Sequence, residues 1–135
     1  MKAMILSGGR GKRLRPVTDI IPKPLIKING KPLIEWKINY LKKFGIKDII
    51  ICSGYKGKKI ENYIKKKKNF GCNIEYSVER LPLGTGGAIK KAIKNIVGYW
   101  HDITNGVWSG VSYIYCRCKN LHTFQKIIKI IKEAT

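Results

Sequence analysis

The chain has 135 residues, 44% of them hydrophobic, with 28 lysines and arginines against 8 acidic residues and a formal charge of +20. This length and apolar content fit one domain with a buried core and exclude a disordered chain. No apolar run approaches the roughly 20 residues that a bilayer-crossing helix requires.

Lys2 followed by a short apolar run lacks the long hydrophobic region of a secretory signal, so the expected compartment is the cytoplasm. The charge raises nucleic acid as a partner. However, the lysines cluster in surface-type positions such as Lys65-Lys66-Lys67-Lys68, at an expected helix end where cations complement the dipole and stay solvated. No basic strand carries the interleaved aromatics that stack single-stranded bases, so nucleic-acid binding is the weaker expectation. Cys52, Cys72, Cys116 and Cys118 have no common zinc spacing, even with His101 and His122 counted, and read as free thiols.

Ala3 to Leu6 reads as a buried strand that opens directly into a loop carrying Gly8, Gly9 and Gly11. Glycines let successive backbone N–H groups turn toward one point, and Arg10, Lys12, Arg13 and Arg15 surround that point with positive charge. A polyanion such as a triphosphate suits it, although the loop alone also suits a plain strand-to-helix turn. The Walker pattern is absent because Arg13 follows Lys12 where a hydroxyl is required. The dinucleotide fingerprint is absent because Leu14 stands where its third glycine belongs.

Pro22-Lys23-Pro24 then holds the backbone extended around one lysine. Asn29-Gly30 marks a tight turn. A helix is expected from about Leu33 to Phe44, with Leu33, Trp36, Tyr40, Leu41 and Phe44 inward and Gly45 as its stop. Asp48 to Cys52 reads as a buried parallel strand. A helix follows over about Lys58 to Lys67 with Ile60, Tyr63 and Ile64 inward, and Asn73 to Val78 reads as a strand with Ile74, Tyr76 and Val78 inward. A glycine-rich stretch, Leu83 to Gly87, leads into another helix, with Thr85 as its cap. Alternating strands and helices predict an α/β fold, a Rossmann-like, mostly parallel sheet with helices on both faces. Its ligand would sit at the carboxyl ends of the strands, where both glycine loops should meet.

Leu6-Ser7-Gly8-Gly9-Arg10-Gly11-Lys12-Arg13-Leu14-Arg15-Pro16, then Ile21-Pro22-Lys23-Pro24-Leu25, Gly30-Lys31-Pro32 and Leu83-Gly84-Thr85-Gly86-Gly87-Ala88-Ile89, closely resembles the sugar-phosphate nucleotidyltransferases. The resemblance covers residues 1–97 and looks most like the guanylyltransferases of heptose or mannose 1-phosphate. Ile49 to Gly57 also looks like glucose-1-phosphate cytidylyltransferases. It implies transfer of a nucleotidyl group from a nucleoside triphosphate to a sugar 1-phosphate, with release of pyrophosphate. By the resemblance, Arg13 and Lys23 are catalytic, while Leu6, Gly8, Gly9, Gly11, Lys12, Glu79, Gly84 and Thr85 bind the nucleotide. It also implies Mg2+ as cofactor and is compatible with a homo-oligomer.

The resemblance fails downstream. Its metal-binding aspartate falls, counting forward, at Val107 of Asn105-Gly106-Val107, and a valine supplies no oxygen to a hard cation. Residues 98–118 differ in composition, and 119–135 return to an amphipathic helical pattern through Leu121, Phe124, Ile128 and Ile131. The expectation is a shortened, locally scrambled relative, weakly active or inactive. The competing classes are a non-catalytic partner subunit and a basic nucleic-acid binder.

Overall fold

The computed structural model describes residues 2–93, 101–102 and 114–117. Strand β1 (Lys2–Ser7) lies beside β4 (Asp48–Ser53), which lies beside β5 (Asn73–Val78), all parallel and in continuous register from Lys2↔Asp48 and Asp48↔Asn73. The β-branched run Ile49-Ile50-Ile51 is buried on both faces, as a strand inside a parallel sheet must be. On its other side β1 pairs antiparallel with β7 (Ile114–Arg117), which pairs antiparallel with β6 (His101–Asp102). The order β5-β4-β1-β7-β6 makes β1 the middle strand. The fold is the expected mostly parallel α/β sheet with helices on both faces, and the edge of β1 is covered. His101–Asp102, too polar for a central strand, sits at the outer position.

Helix α2 (Leu33–Lys43) connects β1 to β4, and α3 (Gly57–Lys66) connects β4 to β5. Two right-handed crossovers taken in one direction along a sheet put both helices on the same face. There Ala3, Ile5, Ile34, Ile38, Leu41, Ile49, Ile51, Ile60 and Ile64 form the larger core cluster. Helix α4 (Gly84–Ile93) covers the opposite face, where Met4, Ile50 and Cys52 meet Ala88 and Ala92. Before α2, strands β2 (Lys27–Ile28) and β3 (Lys31–Pro32) form a hairpin across Asn29 (φ 48°) and Gly30 (φ 77°), both left-handed as this turn requires. A short helix α1 (Val17–Ile20) lies between the glycine loop and the Pro22-Lys23-Pro24 turn.

Three expectations need correction. The backbone is extended at Pro22 but not on the far side of Lys23, since Lys23–Leu25 form a 3₁₀ turn. The buried face of α2 is Ile34, Lys37, Ile38 and Leu41, not the aromatic set, and Trp36 is 40% exposed with its indole N–H donated to the Ile28 carbonyl at 2.8 Å. Val78 is exposed because β5 is an edge strand whose last residue has left the core. The stop of α2 is as expected: Gly45 donates to the Lys42 carbonyl at 2.9 Å and Ile46 to Leu41 at 3.0 Å, the paired bonds of a Schellman end. The helix expected over 119–135, and the proposed boundary segment 98–118 apart from its two short strands, lie outside the described residues.

Candidate functional site

Three loops leave the carboxyl ends of β1, β4 and β5 and close on one another. The Tyr55 N–H donates to the Gly8 carbonyl at 3.3 Å, and the Glu79 N–H donates to the Ser53 carbonyl at 2.7 Å, so the loops are tied by backbone. Between them and α4 lies a cleft of about 240 Å³ lined by Leu6, Gly8, Gly9, Glu79, Pro82, Gly84 and Ala88. The two glycine loops, 75 residues apart at Gly9 and Gly84, thus form opposite walls of one cavity. A second hollow of about 140 Å³ adjoins it, lined by Gly8, Arg10, Gly54, Tyr55, Glu79, Arg80, Leu81 and Pro82.

Glu79 forms part of the wall of both. Its Oε2 accepts the Leu83 N–H at 3.3 Å, and a Cβ on Gly8 would stand 2.9 Å from its Oε1. A side chain at position 8 would therefore push this carboxylate aside. The thiol of buried Cys52 is pushed up to about 12, by burial first and then by the nearby negative charge of Glu79. It is not a nucleophile at neutral pH.

Gly11 is left-handed (φ 63°), and a Cβ there would meet Thr18 Cγ2 at 2.9 Å and Lys23 Cβ at 3.4 Å. The Gly11 carbonyl accepts from the buried Thr18 hydroxyl at 2.9 Å and from the Leu14 N–H at 2.9 Å. These bonds fold residues 12–14 into a single 3₁₀ turn carrying Lys12 and Arg13 outward into solvent. Tyr55 donates its hydroxyl to the Thr18 carbonyl at 2.8 Å, while Lys56 and Lys59 both donate to the Ile20 carbonyl. The Arg10 guanidinium stands 5.5 Å from the Tyr55 ring centroid. Lys23 opens a 3₁₀ turn between buried Pro22 and Pro24 and is half-buried beside the Gly11 loop.

Of the residues expected to bind nucleotide, Leu6, Gly8, Gly9, Glu79 and Gly84 line the cleft. Gly11 and Lys12 do not line it, nor do the expected catalytic residues Arg13 and Lys23; Lys12 and Arg13 stand exposed on the turn that follows Gly11. Thr85 is the second residue of α4 rather than its cap. Val107 lies outside the described residues. Sequence reasoning missed Pro82 and Ala88 in the cleft wall, and it missed Lys37, which is buried on α2 behind Lys23. Nothing in the local pattern marked Lys37, since a lysine in a helix is ordinarily solvated.

The Nucleotidyl transferase family matches residues 2–110, most of the chain and all of this site. The chain belongs to that family. A D-glycero-alpha-D-manno-heptose 1-phosphate guanylyltransferase of Campylobacter jejuni is 49% identical over 94 residues, 70% of this chain and 42% of that protein. The enzyme of the same description from Aneurinibacillus thermoaerophilus is 49% identical over 106 residues, 78% of this chain and 46% of its own length. An N-acetylmuramate alpha-1-phosphate uridylyltransferase of Neisseria meningitidis is 43% identical over 109 residues, 78% of this chain and 46% of that protein. Among solved structures, HddC from Yersinia pseudotuberculosis complexed with GMP-PN matches with a TM-score of 0.66 at 38% identity, over 73% of this chain and 44% of that one. This nucleotidyl transferase chain spans less than half the length of the relatives it matches.

Proposed function

We propose that this chain is the nucleotide-binding part of a sugar-1-phosphate guanylyltransferase, placed in the cytoplasm, with a nucleoside triphosphate and a sugar 1-phosphate as its ligands. The observation that carries this is the cleft walled by Gly8–Gly9 on one side and Glu79–Gly84 on the other, with Arg10 and Arg80 lining the adjoining hollow. In this reading the base enters the cleft between Leu6, Pro82 and Ala88, and the phosphates extend over the Gly8–Arg13 backbone. Guanine is favoured on chemistry. A carboxylate only accepts, and among the bases guanine alone offers two adjacent donors, its ring N1–H and its 2-amino group. Glu79 is the carboxylate lining the cleft. The guanylyltransferase relatives support the same choice.

The reaction proposed is attack of a sugar 1-phosphate oxygen on the α-phosphorus. A phosphorus–oxygen bond forms there as the bond to the α–β bridging oxygen breaks, and pyrophosphate leaves with that electron pair. Such transfers are accelerated by positioning and by neutralising charge. Arg13 is assigned to the leaving pyrophosphate, and Lys23, whose direction is set by its two prolines, to the α-phosphate and the incoming sugar phosphate. Backbone N–H groups of Gly8, Gly9 and Gly11 hold the chain of phosphates, and Lys12 adds attraction.

Magnesium is implied by the family resemblance, and the described residues do not fit it. No group of three or more His, Cys, Asp or Glu among them could hold a metal ion. The cleft's carboxylate is turned onto Gly8 and the Leu83 amide. Val107 offers hydrocarbon where an oxygen ligand is needed. No step is therefore assigned through a metal. The missing acid favours a second reading, a chain that binds nucleotide without turning it over.

Titration with GTP, UTP, CTP and ATP tests the assignment. GTP should bind most tightly, and Arg13→Ala and Lys23→Ala should each weaken it about tenfold, the scale of one charge-assisted phosphate contact. Lys66→Ala, in an exposed position at the far end of the sheet, should leave it unchanged. Equal losses in all three variants, or no preference among the bases, would overturn the assignment. Pyrophosphate release with heptose or mannose 1-phosphate separates turnover from binding alone.

A further inference from the structure

The steps proposed above use neither Arg10 nor Arg80, and neither Arg13 nor Lys23 lines the hollow beside the cleft. Its walls come from all three strand-end loops: Arg10 after β1, Gly54 and Tyr55 after β4, and Arg80, Leu81 and Pro82 after β5. The loops pack tightly there, because a Cβ on Gly54 would stand 3.1 Å from the Gly8 carbonyl oxygen and 3.5 Å from Glu79 Cβ. Tyr55 is fixed by its hydroxyl bond to the Thr18 carbonyl, and the Arg10 guanidinium stands 5.5 Å from its ring centroid. The Lys56 ammonium is 5.6 Å from the same centroid and donates to the Ile20 carbonyl at 3.3 Å.

Charge and size together select an occupant. Arg10 and Arg80 are exposed, and neither stands within ion-pair distance of an acid among the described residues. Glu79 is the acid on the wall, and its Oε2 is turned to the Leu83 N–H, so the two guanidinium groups outnumber it. Each presents a planar fork of N–H donors that matches the oxygens of a phosphate. A volume of about 140 Å³ equals roughly five waters of liquid at about 30 Å³ each, enough for a phosphate group and too small for a second base with its ribose. Leu81, 74% exposed, offers an apolar surface to any carbon that the phosphate carries.

We infer that this hollow is a second anion site, in which Arg10 and Arg80 hold one phosphate group, either free or carried by a small ester. Gly8, Glu79 and Pro82 are common to the hollow and the cleft and stand between them, so phosphate and nucleotide can be bound together. The site stands apart from the nucleotide reading, because phosphate alone probes it.

Titration with inorganic phosphate and with glycerol 1-phosphate tests it, in about 0.15 M salt, where exposed charges further apart than about 8 Å are largely screened. The backbone amide NMR signals of Gly54, Tyr55 and Arg80 should move together and saturate. Arg80→Ala should weaken binding about tenfold, the loss of one charged donor. Arg80→Lys keeps the charge without the fork and should fall between the two. Arg80 is exposed, so neither change disturbs the core. Tighter binding of glycerol 1-phosphate assigns the site to phosphate esters, tighter binding of the free ion assigns it to inorganic phosphate, and either result supports it. Binding of neither overturns it. So does an equal loss in Lys66→Ala, which would trace the attraction to the net charge of +20. The same titration under saturating GTP separates this site from the nucleotide's own. Phosphate should still bind, and its one-for-one displacement by GTP would overturn the inference by making the hollow a seat for the nucleotide's phosphates. Should no triphosphate bind at all, the proposed function falls, and the phosphate titration decides the second site by itself.

Discussion

The two faces of the sheet are built differently, and the difference separates what holds the chain together from what it binds. On the α2 and α3 face, nearly every contact is a branched aliphatic side chain meeting another, Ile5 and Ile51 against Ile34, Ile38, Ile60 and Ile64. On the α4 face, among the described residues, Met4, Ile50 and Cys52 meet Ala88 and Ala92, with Leu6 and Ile89 partly buried at the margin. Small residues bring α4 close to the strands, and the cleft opens where that thin layer ends, between Leu6 and Ala88. Ile50 and Ile51 are adjacent on β4, 3% and 0% exposed, and point to opposite faces. They make the comparison a single experiment. Ile51→Ala should cost about 4 kcal/mol, since the interlocked layer around it cannot collapse into the cavity. Ile50→Ala should cost about 1 kcal/mol less, because α4, which meets it through Ala88 and Ala92, can settle inward. Chemical denaturation of both variants decides it, and equal losses would mean that the α4 layer is as rigid as the other.

The aliphatic face was legible in the sequence for its strands and misread for α2. Asp48–Ser53 and Asn73–Val78 were found because unbroken or alternating β-branched runs have one physical reading. The Asn29–Gly30 hairpin and the Gly45 stop were found because left-handed turns admit few residues. In α2 the interior row is spaced 34, 37, 38, 41, an ordinary helical period, but its second member is Lys37. Discarding a lysine on sight breaks the period and promotes the aromatic set, of which Trp36 ends on the surface. At the site, the motif blocks named the glycines and Glu79, whose roles come from chain geometry that motifs record. Pro82 and Ala88 were not legible, since neither carries a polar group and only the folded loops bring them to the cavity.

Lys37 is therefore the point where the aliphatic layer departs from its own rule, and removing it should sharpen the contrast. A fall from 10.5 to about 8 means that the folded chain disfavours the charged form by about 3 kcal/mol, so Lys37→Met should stabilise the chain by up to that amount at pH 7. The sign with pH follows from proton counts. Above pH 8 the folded state releases the Lys37 proton while the unfolded chain keeps it to near 10.5, so natural-chain stability rises between pH 8 and 9. From about pH 9 Cys52 opposes this rise and flattens it, because the unfolded thiol ionises near 9.0 and the folded one only near 12. Thermal melts across pH 7 to 9 should show the rise in the natural chain and its absence in Lys37→Met.

The glycine loop belongs to neither face and should respond to backbone rather than packing. Gly11→Ala places a methyl 2.9 Å from Thr18 Cγ2 at a φ of 63°, so a cost of about 2 kcal/mol is expected from the left-handed conformation and the contact together. Its effect on GTP affinity should exceed its effect on stability in proportion, since the Thr18 hydroxyl and the Leu14 N–H that shape the Lys12–Leu14 turn both donate to the carbonyl of the same residue. Affinity unchanged alongside a full loss of stability would separate the loop from the site.

The smallest effects belong to the lysine-rich surface of α3, which the composition made most conspicuous. Glu61 accepts from Lys65 at 2.6 Å and from Lys58 at 3.4 Å along the helix. The Lys65 hydrogen bond is the main reason its carboxyl is held below the ordinary value. Pairs of this spacing contribute about 0.5 kcal/mol, and salt screens them. Glu61→Gln should therefore cost no more than about that. The loss should be present at neutral pH and vanish as pH falls through the carboxyl's lowered range, where the natural Glu61 is itself neutral. It should shrink in 1 M salt, where the screening length is about 3 Å. A loss several times larger would mean that α3 is held to the sheet by its charges rather than by Ile60 and Ile64. The two faces would then differ by electrostatics, and the depth of packing would not be what distinguishes them.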